Sequence, residues 1–247
     1  MALVSRRFFL RRSKLIRFLD NIEQIVEPGS ISIYIPYASS NLEIRNLINR
    51  TIRPTPDNLS QLDVNAPNGA ALFWGDKYKC LVLPPFPLNE KVIFNGYVTD
   101  PLRRLIINDH IIGLILVHLG SYAIGVCQGE KFISSKVGTG LIHGRHKKGG
   151  SSQQRFQRHR ENQIREFLNR VCLHIEEHFK NNVDLIDYVV YGGPRQTILL
   201  LQKRCPFLQS LEHCVLPSIS VPTLRQRTLE TSVAHIWSSY VIEWQEE

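Results

Sequence analysis

Ile111-Ile-Gly-Leu-Ile-Leu-Val-His-Leu-Gly-Ser-Tyr-Ala-Ile-Gly-Val-Cys-Gln-Gly-Glu-Lys-Phe-Ile-Ser-Ser-Lys-Val137 holds three β-prone runs parted by Gly120-Ser121 and Gly129-Glu130. Such runs, joined by two-residue glycine turns, predict an antiparallel meander with strands over Ile111–Leu119, Tyr122–Gln128 and Lys131–Val137. Further on, Ile164, Phe167, Leu168, Val171, Cys172, Ile175 and Phe179 recur at helical spacing and predict one long amphipathic helix. Leu185–Tyr191 then reads as a buried strand, Gly192-Gly193-Pro194 as a turn, and Gln196–Leu201 as a helix opened by the proline. Three strands, helix, strand, helix is an α/β layer arrangement.

Upstream, Ile31–Pro36 alternates apolar and polar residues as a half-buried strand does, and a helix is expected over Asn41–Arg50. A polar linker, Arg53–Asn68, precedes a hairpin in which Ala70–Trp74 and Lys79–Leu83 flank Gly75-Asp76-Lys77. Met1–Phe18 carries six basic residues before any acid, a composition shared by mitochondrial presequences and basic helices. The reading preferred here is a surface helix packing Phe8, Phe9, Leu15 and Phe18. Pro222–Trp244 reads as a second amphipathic helix that buries Leu224, Leu229, Val233, Ile236, Trp237 and Tyr240. The expected division is an α+β region over 1–106, an α/β domain over 107–208, and a helical segment over 209–247 packing on the core.

At 247 residues and 43% hydrophobic content the chain can bury real cores. No apolar run approaches the roughly 20 residues of a membrane-spanning helix, so no membrane partner is expected. Five scattered cysteines without a C-x-x-C pair predict neither a disulfide framework nor a structural zinc site, and fit a cytoplasmic protein. His174-Ile-Glu-Glu-His178 has the spacing of a zinc-peptidase motif, but it lies on the predicted helix beside its apolar face, and no metal is expected there.

Charge gives the sharpest functional signal. Lys131–Arg160 contains eight Lys or Arg and no acid, leaving 22 basic and 22 acidic residues in the rest of the chain. All of the net charge of +8 therefore sits in one stretch, which attracts polyanions, so RNA or another phosphate-rich surface is the expected partner. At its centre stands His143-Gly-Arg-His-Lys-Lys-Gly-Gly-Ser-Ser-Gln-Gln-Arg-Phe156. Gly149-Gly150 lets the main chain press close to a ligand, and Ser151, Ser152, Gln153 and Gln154 add neutral hydrogen-bonding groups.

A glutamine is neither a nucleophile nor a useful base. Its amide can orient a water, and its backbone N–H can stabilise a developing oxyanion. That chemistry suits an ester already held and activated by other groups, such as the ester joining a peptide to tRNA. The alternative is a basic loop that only touches RNA phosphates.

The run Gly144–Arg160, the preceding Lys136-Val-Gly-Thr139 and the following Gly192-Gly-Pro194 resemble the catalytic domain of the Vms/ANKZF-type release factors, a branch of the class I eukaryotic and archaeal peptide-release-factor superfamily. Asn68–Gly75 and Pro84–Pro87 are similar to the region that precedes that domain, so the resemblance covers roughly residues 65–205. It implies a ribonuclease H-like catalytic domain on a mixed sheet over 107–208. The implied activity is codon-independent hydrolysis of peptidyl-tRNA on stalled large ribosomal subunits, without metal or nucleotide cofactor. Gln153, in the G-x-x-Q motif from Gly150, would be catalytic, with Gly149 and Gly150 shaping the loop and Gln154 as the alternate glutamine. Arg145, His146, Lys147, Lys148, Arg155, Arg158, His159 and Arg160 would hold ribosomal RNA and the tRNA acceptor end.

Two departures narrow the implication. Classical release factors place glutamine directly after two glycines, whereas Ser151 and Ser152 intervene here, which argues against codon-dependent termination. The zinc finger, ankyrin repeats and ATPase-binding helix of eukaryotic members have no match, implying a short prokaryotic-type member and a monomer. Two other readings stand beside hydrolysis. Cleavage of the tRNA near its acceptor end could use His143, His146 and His159, and a non-catalytic rescue module would use the basic loop for docking alone.

Overall fold

The computed structural model describes residues 3–52, 65–144, 151–222 and 224–246. Its chain runs β1 (Leu3–Leu10), α1 (Arg12–Glu23), β2 (Ile31–Ile35), α2 (Asn41–Thr51), β3 (Ala70–Trp74), β4 (Lys79–Leu83), β5 (Val92–Asn95) and α3 (Asp100–Ile107). It continues through β6 (Ile111–His118), β7 (Ser121–Gln128), β8 (Lys131–Thr139), α4 (Ser151–Phe179), β9 (Tyr188–Gly192), α5 (Arg195–Arg204), α6 (Gln226–Ile236) and β10 (Ser239–Glu246). Short 3-10 helices, Lys180–Leu185 and Pro206–Cys214, flank the β9–α5 segment. The contacts form two compact units, one of Met1–Asn108 with His235–Glu247 and one of Asp109–Ala234.

Among its described residues the first unit holds a six-stranded antiparallel sheet in the order β1-β10-β4-β3-β2-β5. Leu15, Leu19 and Ile22 of α1 and Leu102 and Ile106 of α3 bury against one face with Tyr34, Phe73, Val82 and Val241. Ile44 and Ile48 of α2 cover the other face with Ile33, Ile35, Leu72, Leu81, Ile242 and Trp244. Burial on both faces changes the reading of β2, whose alternation predicts a half-buried strand. Ser32 is wholly buried, and its hydroxyl is satisfied by donating to Gly96 O at 2.8 Å and accepting from Val98 N–H at 2.9 Å. The hairpin of β3 and β4 has the expected ends, and α2 extends one residue beyond its expected end, with a Ser40/Glu43 capping box at its start. Most of the expected linker lies outside the described residues.

Both expected terminal helices are corrected. Leu3–Leu10 is an edge strand, and the helix begins only at Arg12. The last six residues of the expected Pro222–Trp244 helix, continued by Gln245 and Glu246, form β10, inserted between β1 and β4. Tyr240, Ile242 and Trp244 fit a period of two, and Val241 between them is buried on the opposite face. Strand pairing on both sides overrides the helical spacing that continues from Ile236.

The second unit contains a four-stranded mixed sheet, β8-β7-β6-β9, in which β9 runs parallel to β6 and the other pairs are antiparallel. The expected α/β architecture and three-strand meander are both present. Phe167, Leu168, Val171, Ile175 and Phe179 of α4 seal one face with Ile115, Tyr122, Ile124 and Val189, and Ile198 and Leu201 of α5 complete the cluster. The expected strand Leu185–Tyr191 is shorter because Lys180–Leu185 winds into a 3-10 helix. The expectation of unpaired cysteines is overturned, since Cys172 and Cys205 form a disulfide across 33 residues, joining α4 to the end of α5. No sequence spacing signals this pair, because each cysteine belongs to a different helix.

Gly193 adopts φ +121°, and a Cβ there would collide with the Val117 carbonyl of the neighbouring strand. Gly193→Ala is therefore expected to cost about 3 kcal/mol, read as a lowered denaturation midpoint. Non-reducing peptide mapping should recover Cys172 and Cys205 in one linked pair. Its reduction should destabilise the chain by about 3 kcal/mol, and recovery of both as free thiols would contradict the pairing.

Candidate functional site

The site is built on the junction between β8 and α4. Helix α4 buries its apolar stripe only from Phe167 onward, whereas Gln154, Arg155, Phe156, Gln157, Arg158 and His159 are all exposed. The 14 residues from Ser151 to Ile164 make a helical stem about 20 Å long. No acid stands in its first turn, and cations follow immediately. Positive side chains beside the positive end of a helix dipole disfavour the isolated helix and strengthen its attraction for anions.

The strand leading into this stem is tied back to it at several levels. Arg170 Nη2 donates to Thr139 O at 2.9 Å, and Gly140 N–H donates to Gly120 O at 2.8 Å. One further step along, His143 N–H donates to Gln163 Oε1 at 3.1 Å while Arg160 Nε donates to His143 O at 3.0 Å. Gln163 Nε2 lies 3.2 Å from His159 Nε2, and the rings of His143 and His159 are 5.9 Å apart. Gly140 is the residue that lets the chain pass so close, because a Cβ there would meet Phe167 and Arg170, each at 2.6 Å. The chain thus arrives at Gly144 with its backbone fixed against the helix that receives it seven residues later.

Of the residues singled out from sequence, Gln154, Arg155, Arg158, His159 and Arg160 fall together on the first turns of α4. Arg155, Arg158 and His159 share one helical face by their spacing. Arg160 is partly buried by its bond to His143, so it braces the junction as well as adding charge. Arg145, His146, Lys147, Lys148, Gly149 and Gly150 lie outside the described residues, as does the side chain of Gln153, whose backbone stands in the first turn of α4. Sequence reasoning missed Gln163 and Arg170. Both sit on a polar helix face like any solvated residue, and nothing local indicates that each reaches a backbone group on another element.

Other chemistry is sparse among the described residues. His174 stacks on Tyr122 at 5.7 Å and lies 3.2 Å from Glu177, which accounts for one histidine of the zinc-like spacing. Cys172, Glu176 and Cys205 have ligand atoms within 4.8 Å of one another, but the two sulfurs are bonded together. Burial pushes the Cys127 thiol up to about 12 and raises Cys80 and Cys214 as well, so none of these is a thiolate near neutral pH. No helix among the described residues is long and apolar enough to cross a membrane.

Residues 110–242 match the family described as Actinobacteria/chloroflexi VLRF1 release factor. Peptide chain release factor subunit 1 of Aeropyrum pernix is 27% identical over 199 residues, covering 68% of this chain and 53% of that protein. The same factor of Thermococcus sibiricus is 30% identical over 120 residues, covering 47% of this chain and 29% of that one. The chain thus spans about half the length, or less, of these curated relatives. The crystal structure of the archaeal translation termination factor aRF1 aligns with 92% of this chain and 73% of its own at 18% identity, with a TM-score of 0.38. That overlap is too loose to carry the assignment, which rests on the family match. The protein is of the release-factor-like class. It belongs to the VLRF1 release-factor family.

The brace at the loop base has a direct readout. Replacing Gln163 with Leu removes the hydrogen bond from the His143 amide, worth about 1 kcal/mol, together with the contact to His159. The His143 amide should then exchange with deuterium roughly fivefold faster while amides of β6 and β7 keep their protection.

Proposed function

We propose that this chain is a codon-independent peptidyl-tRNA hydrolase of the Vms/ANKZF-like branch that frees nascent chains from stalled large ribosomal subunits. The observation carrying this reading is the position of Gln153 in the first turn of a helix that emerges from the acid-free cationic stretch Lys131–Arg160. In the proposed reaction the Gln153 amide orients a water toward the ester carbonyl. The water oxygen bonds to that carbon, the bond to the ribose oxygen breaks, and the ribose hydroxyl recovers the proton. Gly149 and Gly150 shape the loop, and Gln154 is the alternate glutamine.

Arg145, His146, Lys147, Lys148, Arg155, Arg158, His159 and Arg160 supply a cationic surface for ribosomal RNA and the tRNA acceptor end. Water alignment and fixed electrostatics suffice because the ribosome holds the substrate, so no metal or cofactor is assigned. Residues 107–208 are assigned the chemistry and residues 1–106 the docking, in a cytoplasmic monomer. A basic loop also fits pure docking, the role of a rescue module without catalysis.

One observation favours a second reading. The facing rings of His143 and His159, 5.9 Å apart beside Arg160, offer a base and an acid for RNA cleavage through a 2′-hydroxyl. Purified large subunits bearing labelled peptidyl-tRNA separate the three. Hydrolysis predicts that Gln153→Ala slows release about 100-fold or more, keeps subunit binding, and that the wild type leaves an intact tRNA terminus. A shortened terminus, abolished by His159→Ala, would establish RNA cleavage. Equal release by wild type and Gln153→Ala would remove the glutamine from the mechanism.

A further inference from the structure

A second concentration of positive charge lies in the first unit. Before Asp20 the chain carries Arg6, Arg7, Arg11, Arg12, Lys14 and Arg17 and no acid. The structure separates them by use. Arg12 turns inward, donating to Ile106 O at 2.9 Å and Ile107 O at 2.6 Å, with its guanidinium 4.2 Å from the Trp237 ring centroid. Arg6 covers the Phe8 ring at 5.0 Å. Arg7, Arg11, Lys14 and Arg17 are exposed, and among the described residues none makes an ion pair. The acids of the same helix point elsewhere, since Asp20 and Glu23 bond Arg103 of α3 at 2.6 and 2.8 Å. Helix α1 therefore directs its carboxylates toward the unit and leaves its free cations to solvent.

The strand that precedes this helix carries Arg7 and Phe9 on the opposite face of the sheet from α1, across from Ile242 and Tyr240. β1 pairs with β10 alone among the described residues, so its outer edge is open. Phe9 on that strand is 65% exposed, with its ring 4.9 Å from Tyr240. An edge strand is protected from self-association by one or two charges. Arg11, Lys14 and Arg17, at the junction and on the helix, lie beyond that need. Lys14 also stands in a first helical turn that holds no acid, where the helix dipole disfavours it. Among the described side chains of β1, Phe9 and Val4 are the exposed large apolar ones, too little area for insertion into a lipid surface. Charge complementarity with little apolar area fits a phosphate backbone.

We propose that the outer face of α1 and its first turn form a second RNA-docking surface, in which Arg11, Lys14 and Arg17 contact phosphates of structured ribosomal RNA. That the RNA is ribosomal rests on the function proposed above; the cationic surface itself does not. The test measures equilibrium binding of the full chain to purified large subunits and to an RNA duplex across a salt series. Every protein carries Gln153→Ala, so that turnover plays no part. The combined Arg11→Glu, Lys14→Glu and Arg17→Glu variant should bind at least tenfold more weakly near physiological salt, and its salt slope should fall by about 2 to 3. The matching Gln variants should show a smaller loss in the same direction with unchanged melting, which separates contact from misfolding. Lys203→Glu, Arg225→Glu and Arg227→Glu, equal in charge but in the other unit, should change affinity less than threefold.

Unchanged affinity and slope in the Glu and Gln variants would overturn the proposal. An equal loss in the control set would also overturn it, as would loss of binding to anionic vesicles with RNA binding intact. If the wild type binds RNA through this surface yet releases no peptide, the hydrolase reading fails and this one stands.

Discussion

Burial of Phe167, Leu168, Val171, Ile175 and Phe179 against the mixed sheet is the constraint on which the site depends. Those side chains hold the C-terminal half of a 29-residue helix so that its N-terminal half, where Ile164 alone among the described hydrophobic residues packs on the cluster, can extend into solvent. A helix of that exposed composition would be marginal alone, since isolated helices gain little per residue and nucleate poorly. Attached to a packed segment, it only propagates. The protein thereby acquires a stiff stem that lifts a glutamine and a set of cations away from the core.

The junction beneath the stem is built by hydrogen bonds to backbone. Arg170, Gln163 and Arg160 reach across to Thr139 and His143, and the narrowness of Gly140 lets strand and helix approach. Side chains locked onto main-chain groups restrict where a loop can begin. The arrangement fits the membership of the VLRF1 release-factor family established by residues 110–242.

Electrostatics runs against local preference at this stem. Cations near the start of α4 weaken the isolated helix, yet acids are excluded from the whole of Lys131–Arg160. A conflict between local propensity and overall arrangement marks a place where sequence serves a partner more than the fold. The first unit shows a milder form of the same conflict in the opening turn of α1.

Periodicity and turn chemistry made the meander, the β3–β4 hairpin, α2 and the buried face of α4 legible from sequence, because each depends on neighbours within a few residues. The cationic stretch and its glutamine were legible too, since charge counts need no coordinates. Tertiary structure alone decided the rest. Tyr240–Trp244 satisfies a helical and a strand period at once, and only β1 and β4, each more than 150 residues away in sequence, select the strand. Cys172 meets Cys205, and Gln163 meets His143, only because helices and strands distant along the chain are packed together. Local sequence determines what a segment can be; long-range pairing and burial, which carry no local signature, determine which of those possibilities is stable.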